Sequence, residues 1–263
     1  MYAFTYERPA TLDEASKQIA NGSQALAGGQ TMLAAMKQRL MQPEKLVDLS
    51  QIKALHGIKK DGNTLVIGAM CTHQTVETNA DVKANIPALA ALAGGIGDRQ
   101  VRAMGTIGGS VANNDPAACY PSAVLALDAI IHTNQRTIKA ADFFQGMYAT
   151  ALNSGELITA IAFPIPKRAA YAKFKQAASR FALVGVFVAE TGNGARVAIT
   201  GASNGVFRHS GLEAALNQSF TPGAVQNIQI DAQHLNSDLH ASATYRANLI
   251  KVQTQRAVQQ AIG

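Results

Sequence analysis

Tryptophan is absent from the sequence, cysteine occurs only twice, and charged residues make up just 15%. Each shortage excludes something. Cys71 and Cys119 are too few for a disulfide framework. They are also too few for an iron–sulfur cluster, which as a rule takes about four thiolates. The six histidines show no spacing that suits a metal site. No apolar run approaches the roughly 18 residues that a membrane-spanning helix needs. Positive charge is in modest excess, +6, and Lys and Arg are scattered apart from Lys167-Arg168 and Lys173-Phe174-Lys175. A nucleic-acid binder clusters such residues on one face with aromatics between them, so a mildly basic globular surface is expected instead. The first residues, Met1 to Arg8, carry no apolar signal core, which predicts a cytoplasmic protein.

What is present is apolar bulk and glycine. A hydrophobic content of 48% suffices for one large core or for two to three smaller ones. Two segments concentrate glycine beside hydroxyl residues: Gly28-Gly29-Gln30-Thr31 and Gly105-Thr106-Ile107-Gly108-Gly109-Ser110. Adjacent glycines let a backbone turn sharply and approach a ligand closely. Neighbouring N–H and O–H groups then converge on an anion such as a phosphate. Two such loops predict one diphosphate gripped from both sides, although each alone is also ordinary turn chemistry.

Periodicity predicts a strand at Phe4–Tyr6, a helix from a Thr11 cap, and a strand at Ala25–Ala27 that runs into the first loop. A helix over Thr31–Leu40 would aim its first N–H groups at a phosphate. Residues 46–49, 55–60, 64–69, 130–133, 137–139 and 156–164 read as strands; 75–80, 86–93, 121–127 and a short segment from Ala141 read as helices. After Pro164-Ile165-Pro166 the pattern changes, and a domain boundary is expected there. Gly192-Asn193-Gly194 lies between two apolar strands, Ala182–Glu190 and Arg196–Thr200, and predicts a hairpin. A dinucleotide fingerprint would need a helix after it, so a Rossmann fold is excluded. A long helix over 241–262 ends the chain.

Longer segments carry a resemblance over nearly the whole chain. They are Ala27-Gly28-Gly29-Gln30-Thr31, Leu46-Val47-Asp48-Leu49, Gln100-Val101-Arg102 with Gly105 to Gly109, Asp115-Pro116-Ala117-Ala118, Tyr120-Pro121, Phe174-Lys175-Gln176-Ala177 and Phe181 to Val186. The tail, Ala241 to Arg246, fits as well. The sequence resembles the FAD-binding medium subunit of the molybdenum hydroxylases, the family of the carbon monoxide dehydrogenase flavoprotein and the xanthine dehydrogenase FAD domain. The resemblance implies an α+β fold of the p-cresol methylhydroxylase and vanillyl-alcohol oxidase type. It would comprise FAD-binding subdomains at 1–54 and 55–166 and a small α+β C-terminal domain at 167–263.

The resemblance further implies FAD, its diphosphate held by Gly28, Gly29, Gln30 and Thr31 on one side and Thr106, Gly108, Gly109 and Ser110 on the other. Ala27, Met32, Ile107 and Asn113 flank these positions. Asp115 is either an acceptor for a ribityl hydroxyl or the acid of an Asx turn before Pro116. Tyr120 lies near the cofactor or fills the core. Relatives often carry an acid where Cys119 stands; a neutral thiol is a poor acceptor, and this residue is either a lost contact, a redox-active thiol or an inert buried one. Ile158 is expected beside the flavin. Lys175 is expected near it, raising its potential, or else is a solvated lysine on a strand edge. Relatives often have an acid just before Phe181, where this chain has Ser179-Arg180.

In such a family the chain passes electrons from [2Fe–2S] clusters on a small subunit to an external acceptor. A large subunit carries molybdenum, and the assembly is a dimer of heterotrimers. No residues in the sequence form a Ser-His-Asp or paired-carboxylate constellation, so no catalytic acid–base residue is expected. Two alternatives stay open at this point: a stand-alone flavin reductase on the same fold, and a scaffold subunit that has lost FAD.

Overall fold

The computed structural model describes residues 1–263, which form three sheets and the helices that cover them. The first sheet joins β1 (Thr5–Glu7), β2 (Gln24–Leu26) and β3 (Lys45–Asp48) in the order β1-β3-β2, all parallel. β3 is its centre, and Leu46, Val47 and Asp48 are buried. The helix Leu12–Ala20 links β1 to β2; Thr11 caps it by accepting the Glu14 N–H.

The second sheet has the order β4-β5-β8-β6-β7, with every pair antiparallel. Its strands are β4 (Ile58–Asp61), β5 (Thr64–Gly68), β6 (Ile130–Thr133), β7 (Thr137–Lys139) and β8 (Ile158–Pro164). Leu65, Ile67, Ile131, Ile161 and Phe163 point from it into the largest core, where the helix Tyr120–Ala126 is buried along its whole length.

The third sheet, β12-β11-β10-β9, is antiparallel as well, built from β9 (Arg168–Lys175), β10 (Ala182–Thr191), β11 (Gly194–Thr200) and β12 (Phe207–Arg208). Both faces of β10 are covered. Val184, Val186 and Val188 pack under the long helix Ala243–Ile262, while Phe187 and Ala189 enter the main core on the opposite face. Alternation thus places this strand between two cores.

The hairpin at Gly192-Asn193 is present, with Thr191 opposite Gly194. The expected strand at 55–60 begins only at Ile58, because Lys53–Leu55 form a 3-10 turn. The expected helix over 31–40 spans only Met32–Lys37. Arg39 adopts φ 61, and the N–H groups of Arg39 and Leu40 turn back to Met36 and Ala35, which closes the helix. The helices Arg99–Met104 and Ser210–Gln218 carried no signal that the sequence reading used.

Candidate functional site: a cleft between the first two sheets

The first glycine segment leaves β2 and turns into the helix Met32–Lys37. Gly29 sits at φ 67, where a side chain is rarely tolerated. At Gly28 a Cβ would run into the carbonyl of Met104 and come within 2.7 Å of the Gly105 Cα, so the two glycine segments press directly on each other. The backbone N–H groups of Gly28, Gly29, Gln30, Thr31 and Met32 have no acceptor within the protein, and the Thr31 hydroxyl caps nothing. Unpaired donors are rare where backbone is buried. Consecutive ones facing a cavity make an anion nest.

The second segment differs from the loop that the sequence suggested. It is no loop: Thr106 is the N-cap of a helix, Ile107–Asn113. The first N–H groups of that helix are already committed. Ile107 donates to Cys71 O at 3.0 Å, Gly108 to Ala69 O at 2.9 Å, Gly109 to Thr106 Oγ1 at 3.1 Å, and Ser110 to Thr106 O at 3.0 Å. Its glycines serve packing, since a Cβ at Gly108 would lie 2.5 Å from that of Ala69. What this side offers the cleft is the Thr106 N–H, which has no acceptor, and the polar side chains of Ser110 and Asn113 along its wall.

Between the segments lies a cleft of about 580 Å³, well within the range of small-molecule sites. Of the sequence-predicted residues, Ala27, Gly28, Gly29, Gln30, Thr31, Met32, Thr106, Gly108, Gly109, Ser110, Asn113, Asp115, Cys119 and Ile158 line it. Three do not. Ile107 is fully buried as the first residue of its helix, and Tyr120 is fully buried with its ring 5.3 Å from His73. Lys175 stands exposed at the end of β9, outside the cleft. Two residues earlier, on the same side of the strand, Lys173 lines the cleft instead. Its Nζ donates to Gly95 O at 2.6 Å and Arg180 O at 3.1 Å, and lies 3.5 Å from Cys119 Sγ. Strand alternation could have shown that 173 and 175 share a face, but not which one reaches inward.

Asp115 forms the Asx turn that was one of its two sequence readings. Oδ1 accepts the Ala117 N–H at 2.8 Å and closes an Asx turn, whereas Oδ2 faces the Tyr148 hydroxyl at 3.4 Å. Tyr148 lines the cleft and had no sequence signal. Ser179, Arg180 and Phe181 form another part of the wall; the Arg180 guanidinium donates to Gly97 O at 3.1 Å. His73 also lines the cleft. Burial, reinforced by the Arg102 charge, holds its pKa down at about 4, so it is neutral at pH 7. Glu156 is held at about 2, first by its hydrogen bond from Arg136, and is a structural carboxylate.

The family of FAD-binding domains in molybdopterin dehydrogenases matches residues 2–166. The medium chain of glyceraldehyde dehydrogenase from Sulfolobus acidocaldarius is 32% identical, over 98% of this chain and 98% of that one. The medium chain of carbon monoxide dehydrogenase from Hydrogenophaga pseudoflava is 33% identical, over 98% of this chain and 96% of that one. The solved structure of a carbon monoxide dehydrogenase from Hydrogenophaga pseudoflava superposes with a TM-score of 0.90 at 33% identity, covering 99% of this chain and 98% of that chain. The residues present fit the group that this family binds: unpaired N–H donors suit a diphosphate, and the cleft has apolar walls beside them. The chain belongs to the FAD-binding domain family of the molybdopterin dehydrogenases and is an oxidoreductase subunit whose cofactor is FAD.

Proposed function

We propose that this chain holds FAD within a complex of a molybdenum-cofactor large subunit and a [2Fe–2S] small subunit, assembled as a dimer of heterotrimers. Within it, the chain relays electrons from the clusters to an external acceptor. The observation that carries the reading is the run of unpaired N–H groups from Gly28 to Met32 on the wall of the cleft. FAD, when bound, supplies the redox chemistry; the protein's part is to bind, orient and shield it.

The first glycine segment binds the diphosphate with neutral donors, assisted by Thr31 and by the Thr106 N–H. Asp115 offers one oxygen to a hydroxyl of the cofactor. Lys173, fixed by two carbonyls, sets a positive charge on the wall, and Ser179, Arg180 and Phe181 keep bulk water from that part of the cleft. The relatives with almost equal identity belong to enzymes named for an aldehyde and for carbon monoxide. In this reading the substrate never touches this chain, and its choice belongs to another subunit.

The test is to purify the chain from its natural source with whatever accompanies it, then add the reducing substrate of the complex anaerobically. Released FAD, co-purifying iron and molybdenum, and bleaching of the flavin band only in the intact complex are expected. A chain that purifies alone with FAD and oxidises or reduces a small substrate unaided would establish the stand-alone reductase instead.

A further inference from the structure

In the turn 145–149, Tyr148 is held on the cleft wall in a backbone conformation that a bulky residue rarely adopts. Tyr148 has φ 54, a left-handed value rare for a bulky residue. A buried residue holds it there. Asn114, itself at φ 44 and ψ 47, donates from Nδ2 to Gly146 O at 2.7 Å and to Ala149 O at 2.8 Å. The Asn114 carbonyl accepts the Tyr148 N–H at 3.2 Å. Backbone strain of this kind persists only where the surroundings enforce it, and it concentrates at functional sites.

The Tyr148 side chain itself adds little to the core, since it is 58% exposed. What the strain achieves is to put the phenol on the cleft wall, its hydroxyl 3.4 Å from Asp115 Oδ2. That contact is long for an O–H···O bond, whose usual separation is about 2.7–2.8 Å. Burial, and then the Asp115 charge, raise the phenol above its ordinary range, so it is a protonated donor at neutral pH. A slack donor–carboxylate pair suits a ligand hydroxyl, which accepts from the phenol and donates to the carboxylate.

We propose that Tyr148 and Asp115 together read hydroxyls of the sugar part of the bound dinucleotide, and that Asn114 is the positioning residue that holds Tyr148 in place. The inference rests on the FAD reading above. The hydroxyls belong either to the ribityl chain of the flavin half or to the ribose of the adenosine half.

Titration of the full-length chain with FAD and, separately, with ADP, alongside thermal unfolding of the unliganded protein, tests it. Tyr148→Phe is expected to weaken FAD about tenfold, the loss of one well-placed hydrogen bond. Tyr148→Gly relieves the left-handed strain and is expected to raise the Tm of the unliganded chain while weakening FAD further. Met147→Ala, next in the chain but outside the cleft, should leave both quantities unchanged. ADP binding that is unaffected by Tyr148→Phe assigns the contact to the ribityl chain, and ADP binding weakened in parallel assigns it to the ribose; either supports the pair. Unchanged FAD affinity in Tyr148→Gly overturns the inference, as does a Tm that falls together with affinity, the mark of a merely structural residue. A wild-type chain that binds neither FAD nor ADP overturns the FAD reading itself, and the inference with it.

Discussion

His73 shows how much one buried side chain can weigh. It opens the helix His73–Thr78, its N–H donates to Gly105 O at 2.8 Å, and its Nδ1 is buried with no partner. The imidazole therefore has nothing to compensate a proton, and its pKa falls from 6.5 to about 4 in the folded state. An unfolded chain binds that proton at higher pH. The contribution to stability is thus complete above pH 6.5 and is lost as pH falls through about 4. The shift corresponds to about 3 kcal/mol. Denaturant unfolding between pH 7.5 and 4 should show a loss of that order, and His73→Gln should flatten the slope in this window; an unchanged slope would mean that the ring has a partner in solution. Glu156 acts lower, between 4.5 and about 2, because Arg136 depresses it, so the two losses separate on the pH axis.

At the scale of elements, the helix Ile107–Asn113 was the hardest part to read from sequence. Gly-Thr-Ile-Gly-Gly-Ser looks like a loop, since adjacent glycines disfavour helix; packing against Ala69 overrides that preference. The first glycine segment, by contrast, was legible, because Gly28 and Gly29 meet a local demand for close approach and for positive φ. So were β10, β11 and their hairpin, whose valine-rich runs and Gly192-Asn193 turn are local signals. Which lysine of β9 faces the cleft, and where Tyr148 falls, depend on contacts made far along the chain. The terminal helix illustrates the same limit. Its end was plain, yet its anchor, Arg246, is tertiary: the buried guanidinium donates to Leu183 O at 2.8 Å and Gly201 O at 2.7 Å and pairs with Asp238 at 2.7 Å. Arg246→Met should strand those carbonyls and destabilise the protein by about 3 kcal/mol. Chemical denaturation measures it, and a change below about 0.5 kcal/mol, the range of neutral surface substitutions, would show that water replaces the guanidinium.

Over the whole molecule, the three sheets form one structure around the cleft. The family match ends at residue 166, yet the chain beyond supplies Phe187, Ala189 and Ala198 to the largest core, with Ala169 and Tyr171 packed against it. Burying a single phenylalanine side chain contributes about 1.5–3 kcal/mol. Polar ties run the same way: Arg196 pairs with Asp128 at 3.1 Å, and the Gly201 N–H donates to Pro116 O at 2.7 Å, directly behind the Asp115 turn. Lys173, Ser179, Arg180 and Phe181 complete the cleft from the same region. A fragment ending at Pro166 therefore loses both a share of its core and a wall of its site. Such a fragment is expected to unfold with reduced cooperativity, to bind a hydrophobic dye and to retain no FAD, whereas the full chain unfolds as a unit. Sharp unfolding of the fragment with FAD still bound would instead make residues 167–263 a docked module, and the cofactor site the property of the first two sheets alone.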